Sequence, residues 1–205
     1  MTQSTDHQHG ASAPQDGKAG DGHDSKHMRS MYLRFAAMIA TAMVVMYGTM
    51  FVGTYEWDHV TFSESRVYMA LTMGGTMGLI MIAWMLNMYR STKANVGVVL
   101  ASLLLLGTGV FLDRSQATVQ DVGWMSSMIP HHSLAITRSE RAEITDVRVC
   151  ELAREISEAQ RREILEMKWL INDIEENGEA RTAAEAQQRQ APEFDVSAVR
   201  DCPRG

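Results

Sequence analysis

The stretch Trp124–Ser133, WMSSMIPHHS, sets two thioethers and two imidazoles within eight residues, around a proline. On a helix turning about 100° per residue, Met125, Met128 and His132 fall within roughly 60° of one another. His131 lies about 60° beyond Met128. Pro130 has no N–H to give to the carbonyl of Ser126, so the helix is expected to kink or loosen there. Thioether sulfur is soft and uncharged and prefers Cu(I) or Ag(I) to harder cations, and imidazole accepts copper in either oxidation state. Farther along, EILEMKW offers one more sulfur in Met167, on the same stripe as Ile164 and Ile171. Glu163 lies a turn earlier, where a carboxylate can orient a ligating histidine from behind. The competing reading of the same residues is packing, with methionines filling gaps in a core and the histidine pair making ordinary polar contacts.

The elements that position these residues follow from periodicity. A first helix is expected from about Val119 to Ala142 and a second from near TDVRV to Asn177, where Gly178 supplies a stop. Along the second, Ala153, Ile156, Ala159, Ile164, Met167, Leu170, Ile171 and Ile174 recur at threes and fours, with Glu151, Arg154, Glu155, Glu158, Arg161 and Arg162 on the other face. A short turn between them predicts an antiparallel hairpin. Two helices enclose little core, so a homodimer making a four-helix bundle is the simplest way to cover the stripe.

Three runs free of charge precede this region: between Arg34 and Glu56, between Arg66 and Arg90, and between Lys93 and Asp113. Each is about the length that crosses a bilayer's hydrocarbon core. Lys18, Lys26, Arg29 and Arg34 flank the first run, Arg90 and Lys93 fill the second loop, and the first loop, TYEWDHVTFSES, is acidic. Positive charge therefore places the N-terminus and second loop in the cytoplasm, and everything after Leu112 outside. Tyr55, Trp57, Tyr68 and Tyr89 fall where interfacial aromatic residues belong. The first run is read as a retained span, since thirty residues precede it and no small-x-small cleavage site follows.

The domains expected are a disordered, histidine-rich tail over 1–30 carrying His7, His9, His23 and His27, a three-helix membrane domain over 31–112, a metal-binding hairpin over 113–178, and a tail over 179–205 with one possible short helix. Of the net charge of −6, all falls in residues 113–205, with 18 acids against 12 bases. An acidic outer domain argues against nucleic acid as a partner. Met69, Met73, Met77, Met81 and Met85 recur every four residues in the second span. Such a ladder reads either as flexible packing, helped by Gly74, Gly75 and Gly78, or as a thioether path for Cu(I). Cys150 and Cys202 are the only cysteines. An intrachain bridge is the reading taken first, with an interchain bridge or free thiols as alternatives.

The runs DVGWMSSMIPHHSLAI, VRVCELAREI and AQRREILEM resemble domain-of-unknown-function family 305, whose hallmark is an M-x-x-M-I-P-H-H-x-x-A-I helix followed by an A-Q-x-x-E-I-x-x-M helix. The resemblance covers about Gln116 to Asp173, and the layout of leader and three spans is similar to a membrane-anchored bacterial subgroup. It implies a ferritin-like helical fold and copper or silver binding in the periplasm. The matching positions are Met125, Met128, His131, His132 and Met167, with Asp121 at the motif's leading acid. Arg138, preceded by Thr137, stands where many members carry methionine, and one helix pair stands where members often have two. Both departures bear on affinity and stoichiometry, and the second favours dimerisation.

The expectation is an all-α, non-enzymatic protein of the bacterial inner membrane. It presents a periplasmic Met/His site for Cu(I) or Ag(I) used in sequestration or transfer. One alternative is a structural or regulatory membrane dimer that binds no metal. Another is a di-iron carboxylate oxidase, which needs paired Glu-x-x-His motifs facing a core. The chain has a single such motif, Glu56 to His59, in a loop, and it has no G-x-S-x-G or Walker sequence.

Overall fold

The computed structural model describes residues 19–198 and 200–202. Among these residues six α-helices follow one another: α1 (Ala19–Thr49), α2 (Glu64–Trp84), α3 (Thr92–Ser115), α4 (Asp121–Arg141), α5 (Val147–Asn177) and α6 (Ala183–Gln188). A 3₁₀ turn, Trp57–His59, lies between α1 and α2, and there is no strand among the described residues. The chain divides into two units, Met1–Met38 and Ile39–Gly205. Of the first unit the described part is helical. Residues 19–30 therefore depart from the disorder expected of them, whereas His7 and His9 lie outside the described residues. A helix already nucleated in the apolar run gains one hydrogen bond for each residue it adds, which carries it through Gly20 and Gly22.

Three stretches are long and apolar enough to cross a membrane: Lys26–Thr49, Glu64–Trp84 and Thr92–Ser115, of 24, 21 and 24 residues. The second ends five residues short of Tyr89 and the third runs past Leu112. Helices α2 and α3 pack closely, and the approach is set by missing side chains. A Cβ on Gly75 would stand 2.5 Å from the backbone nitrogen of Leu106 and 2.6 Å from the Ser102 carbonyl. One on Gly109 would stand 2.7 Å from the Thr72 nitrogen. Neither backbone can yield, so only glycine fits at this crossing. Gly109, on the α3 side, has no counterpart in the sequence reading. Of the methionines, Met43 lies against Gly74 and fills the space its missing side chain leaves. Met69 and Met73 are exposed on the helix surface.

Helices α4 and α5 carry recognisable signals at their ends. Asp121 is in the first turn of α4, where a carboxylate suits the positive end of the helix dipole. Asp146 caps α5 by accepting from the Arg148 N–H, and Gly178 closes it with φ of 76°. Thr182 and Glu185 form a capping box that starts α6, the short helix expected in the tail. Met125, Ile129 and Ile136 from α4 and Ile164 and Met167 from α5 make one buried cluster, with Met128, Leu170, Ile171 and Ile174 packed on it. The inner line of α5 differs from the expected stripe near its start. Ile156 is exposed, and Ser157 is fully buried in its place. The reason is Glu140 at the end of α4, which needs a polar partner and accepts from the Ser157 hydroxyl.

Cys150 and Cys202 form an intrachain disulfide with Cα atoms 5.8 Å apart. The tail that reaches it also carries Arg200, whose guanidinium donates to the carbonyls of Ser139 (2.7 Å), Glu140 and Ala142. These are carbonyls that the last turn of α4 leaves without an N–H.

Candidate metal centre

The α4–α5 pair gathers most of the Met/His set. Met125 and Met167 are buried at 4% and 6% exposure and share the apolar cluster, with half-buried Met128 beside them. His132 is buried as well. Its Nε2 lies 2.7 Å from Glu163 Oε2, so the expected carboxylate partner is in place. Its Nδ1 lies 2.9 Å from the carbonyl oxygen of Met128. A carbonyl only accepts, so Nδ1 carries a proton. The proton in the other bond sits on Nε2 or on the Glu163 carboxyl. Both ring nitrogens are thus committed within the helix pair. His131 stands apart from this cluster. It is exposed, with its ring edge-on to that of His132 at a centroid distance of 5.9 Å. On a helix packed along the line of Met125, Ile129, His132 and Ile136, the neighbouring position must turn toward solvent.

The loop after α1 adds residues that the sequence does not connect with this region. Thr61 Oγ1 donates to the carbonyl of Ser126 at 2.5 Å. That carbonyl is the one left without a donor by Pro130, and α4 remains helical from end to end. The hydroxyl of Ser133, fully buried beside His132, accepts from the backbone N–H of Tyr55 at 2.7 Å and lies 2.9 Å from His59 Nδ1. Arg161 stacks over the Tyr55 ring, 4.6 Å from its centroid, and pairs with Glu140 at 3.6 Å. Lys168 Nζ reaches Asp58 Oδ2 at 2.6 Å. This hydrogen bond, joined by the lysine's charge, holds the Asp58 carboxyl below its ordinary range against a smaller opposing effect of burial. Burial lowers the affinity of His59 for a proton. Lys168 and Arg161 push the same way, and Asp58 and Glu56 oppose them. No sequence period could have signalled the loop's contacts, because each joins it to a helix 65 or more residues away. The one clue was Pro130, which guaranteed that some donor had to serve the Ser126 carbonyl.

The family described as Domain of unknown function (DUF305) matches residues 121–199. An uncharacterized protein of Acanthamoeba polyphaga mimivirus is 35% identical over 104 residues, which is 47% of this chain and 68% of that protein. No solved structure matches.

Proposed function

The chain belongs to the Domain of unknown function (DUF305) family, and on that premise we propose that it is a membrane-anchored protein whose α4–α5 pair binds Cu(I) or Ag(I) outside a bacterial inner membrane. The role proposed is sequestration or transfer of the ion in metal resistance or homeostasis, without catalysis. The observation that carries the reading is the meeting of Met125 from α4 and Met167 from α5 in one buried cluster, with Met128 packed on it and the buried His132 ring on the Met128 carbonyl. Soft thioethers collected in a dry site suit a soft monovalent ion, and Glu163 suits the outer position behind a ligating imidazole. Loading asks His132 Nδ1 to leave the Met128 carbonyl and shed its proton while Glu163 keeps Nε2. His131, on the exposed side, is the residue an incoming ion meets first.

In the same reading α4 and α5 form an antiparallel hairpin, half of a ferritin-like bundle. Partners of α4 fall along α5 as α4 advances: Glu163 for His132, then Ser157 for Glu140. A second copy completes the bundle by covering the flank of α5 where Val149, Leu152 and Ile156 are exposed. The partners proposed are the metal ion, the bilayer and this second copy, with no nucleic acid.

Anaerobic Cu(I) titration of the detergent-solubilised chain against a competing chelator tests the site. Replacing Met125 and Met128 together by leucine keeps the packed volume and removes both sulfurs. Affinity should fall at least tenfold, about 1.4 kcal/mol. An unchanged affinity overturns the thioether assignment. It favours instead a metal-free structural pair, for which the doubly bonded His132 ring speaks.

A further inference from the structure

The Glu56–His59 motif is absorbed neither by the membrane spans nor by the thioether cluster. The 3₁₀ turn folds it so that Glu56, Asp58 and His59 present one ligand atom each, all within 4.8 Å of one another. His59 Nε2 lies 3.8 Å from Glu56 Oε2 and 3.7 Å from Asp58 Oδ1. These separations are too long for hydrogen bonds. Two donors each about 2.1 Å from a shared ion stand roughly 3.0–3.5 Å apart, so a closure of a few tenths of an ångström would bring the ring and each carboxylate to ligand spacing, with the two carboxylate oxygens closing from within 4.8 Å of each other.

The histidine itself points to a ligand. Its side chain is 8% exposed, yet Nε2 has no hydrogen bond among the described residues. It opens onto a cavity of about 180 Å³ that Glu56, Arg161, Ile164, Leu165, Val196 and Ser197 also line. The ring is fixed from behind by Ser133 at Nδ1. With that proton donated to the serine oxygen, the Nε2 lone pair faces two carboxylates, an arrangement that a cation between them resolves. Asp58 is likewise oriented in advance, because Lys168 takes Oδ2 and leaves Oδ1 turned to the ring. The nearby positive charges are matched, Lys168 by Asp58 and Arg161 by Glu140.

We propose that Glu56, Asp58 and His59 form a second metal site, specific for a first-row divalent cation and independent of the Met/His cluster. Two carboxylates and one imidazole make a hard-to-intermediate donor set that suits Mn(II), Fe(II) or Zn(II) and lacks the thioether that would draw Cu(I). The site lies where the first loop docks on α4, through Ser133. Occupancy therefore fastens the loop to the α4–α5 pair.

Mn(II) is the probe, because the tail histidines and the thioethers hold it poorly. The detergent-solubilised full chain is titrated with Mn(II) while the six-line electron paramagnetic resonance signal of the free ion is followed. Wild type should remove one equivalent. Glu56→Gln should weaken binding more than about tenfold. Glu56 suits the test because its half-exposed side chain makes only the long contact to His59, and unchanged helicity by circular dichroism verifies the fold. His59→Gln should abolish binding. The Met125→Leu/Met128→Leu double variant should bind Mn(II) as wild type does, so that failure here and failure of the Cu(I) reading are told apart. If wild type leaves the free signal untouched, or if Glu56→Gln binds as tightly as wild type, the proposal is overturned.

Discussion

His59 is one of three residues, with Tyr55 and Thr61, through which the first loop holds α4, and its burial makes that hold depend on pH. Desolvation, with Lys168 and Arg161, lowers the folded-state proton affinity of its ring below the ordinary value of 6.5, although Asp58 and Glu56 oppose the shift. The unfolded chain therefore takes up a proton near pH 6.5 while the folded chain does not. Below that pH the unfolded state binds more protons, and stability falls as the solution is acidified. Above it the ring is neutral in both states and the contribution is fully present. Unfolding of wild type and of His59→Gln, compared between pH 7.5 and 5.5, should show the wild type losing stability on acidification more steeply than the variant. The histidines common to both proteins affect both curves alike, so equal slopes would remove His59 as the cause. None of this is legible in the sequence. A histidine in an acidic loop reads as solvated, and only docking against Ser133 buries it.

At the scale of elements, what the sequence exposed and what it hid divide on physical lines. Helix α5 was readable because its apolar residues repeat and Asp146 and Gly178 mark its ends. The three helices apolar enough to cross a membrane were readable because a long uncharged run lies in each. The misplacement of Ile156 and Ser157 came from a polar demand made by another helix, Glu140 on α4, which no period within α5 can express. Met125 and Met167 share one buried cluster with Met128 packed on it, and His132 is buried on α4. The outward turn of His131 depended on which line of α4 became the packed one. Pro130 is the most instructive case. The expectation of a loosened helix rested on the lost N–H, and the compensating donor, Thr61, comes from the loop after α1. Thr61→Val should cost about 1–2 kcal/mol of thermal stability in detergent, because the Ser126 carbonyl then has no donor. Pro130→Ala restores an N–H to that carbonyl, so in the double variant Thr61→Val should cost much less than it does alone. Strictly additive effects in this cycle would show that Thr61 and Pro130 do not serve the same carbonyl.

For the whole molecule, the disulfide and the charge of the loops bear on the same question, which side of the membrane holds the α4–α5 pair. Arg90 and Lys93 favour a cytoplasmic second loop, and the first loop and residues after α3 then share the opposite side. That arrangement is also what the docking of Tyr55, His59 and Thr61 onto α4 demands, since loop and helix pair must meet in one compartment. Disulfides persist in oxidising compartments, so the bridge of Cys150 to Cys202 points to a compartment of that kind. With the two cysteines 52 positions apart in the sequence, the bridge stabilises the fold by on the order of 4 kcal/mol in the chain-entropy account. It also presents Arg200 to the end of α4. Alkaline phosphatase, which is active only where its own disulfides form, reports the same property. Fused after Gly205 it should be active, and inserted within residues 91–94 it should be inactive. In the protein taken from those cells, mass spectrometry without reduction should find Cys150 joined to Cys202. The reverse fusion pattern would place the α4–α5 pair in the cytoplasm, where the thiols would be reduced, and would overturn the periplasmic metal-binding role along with the topology.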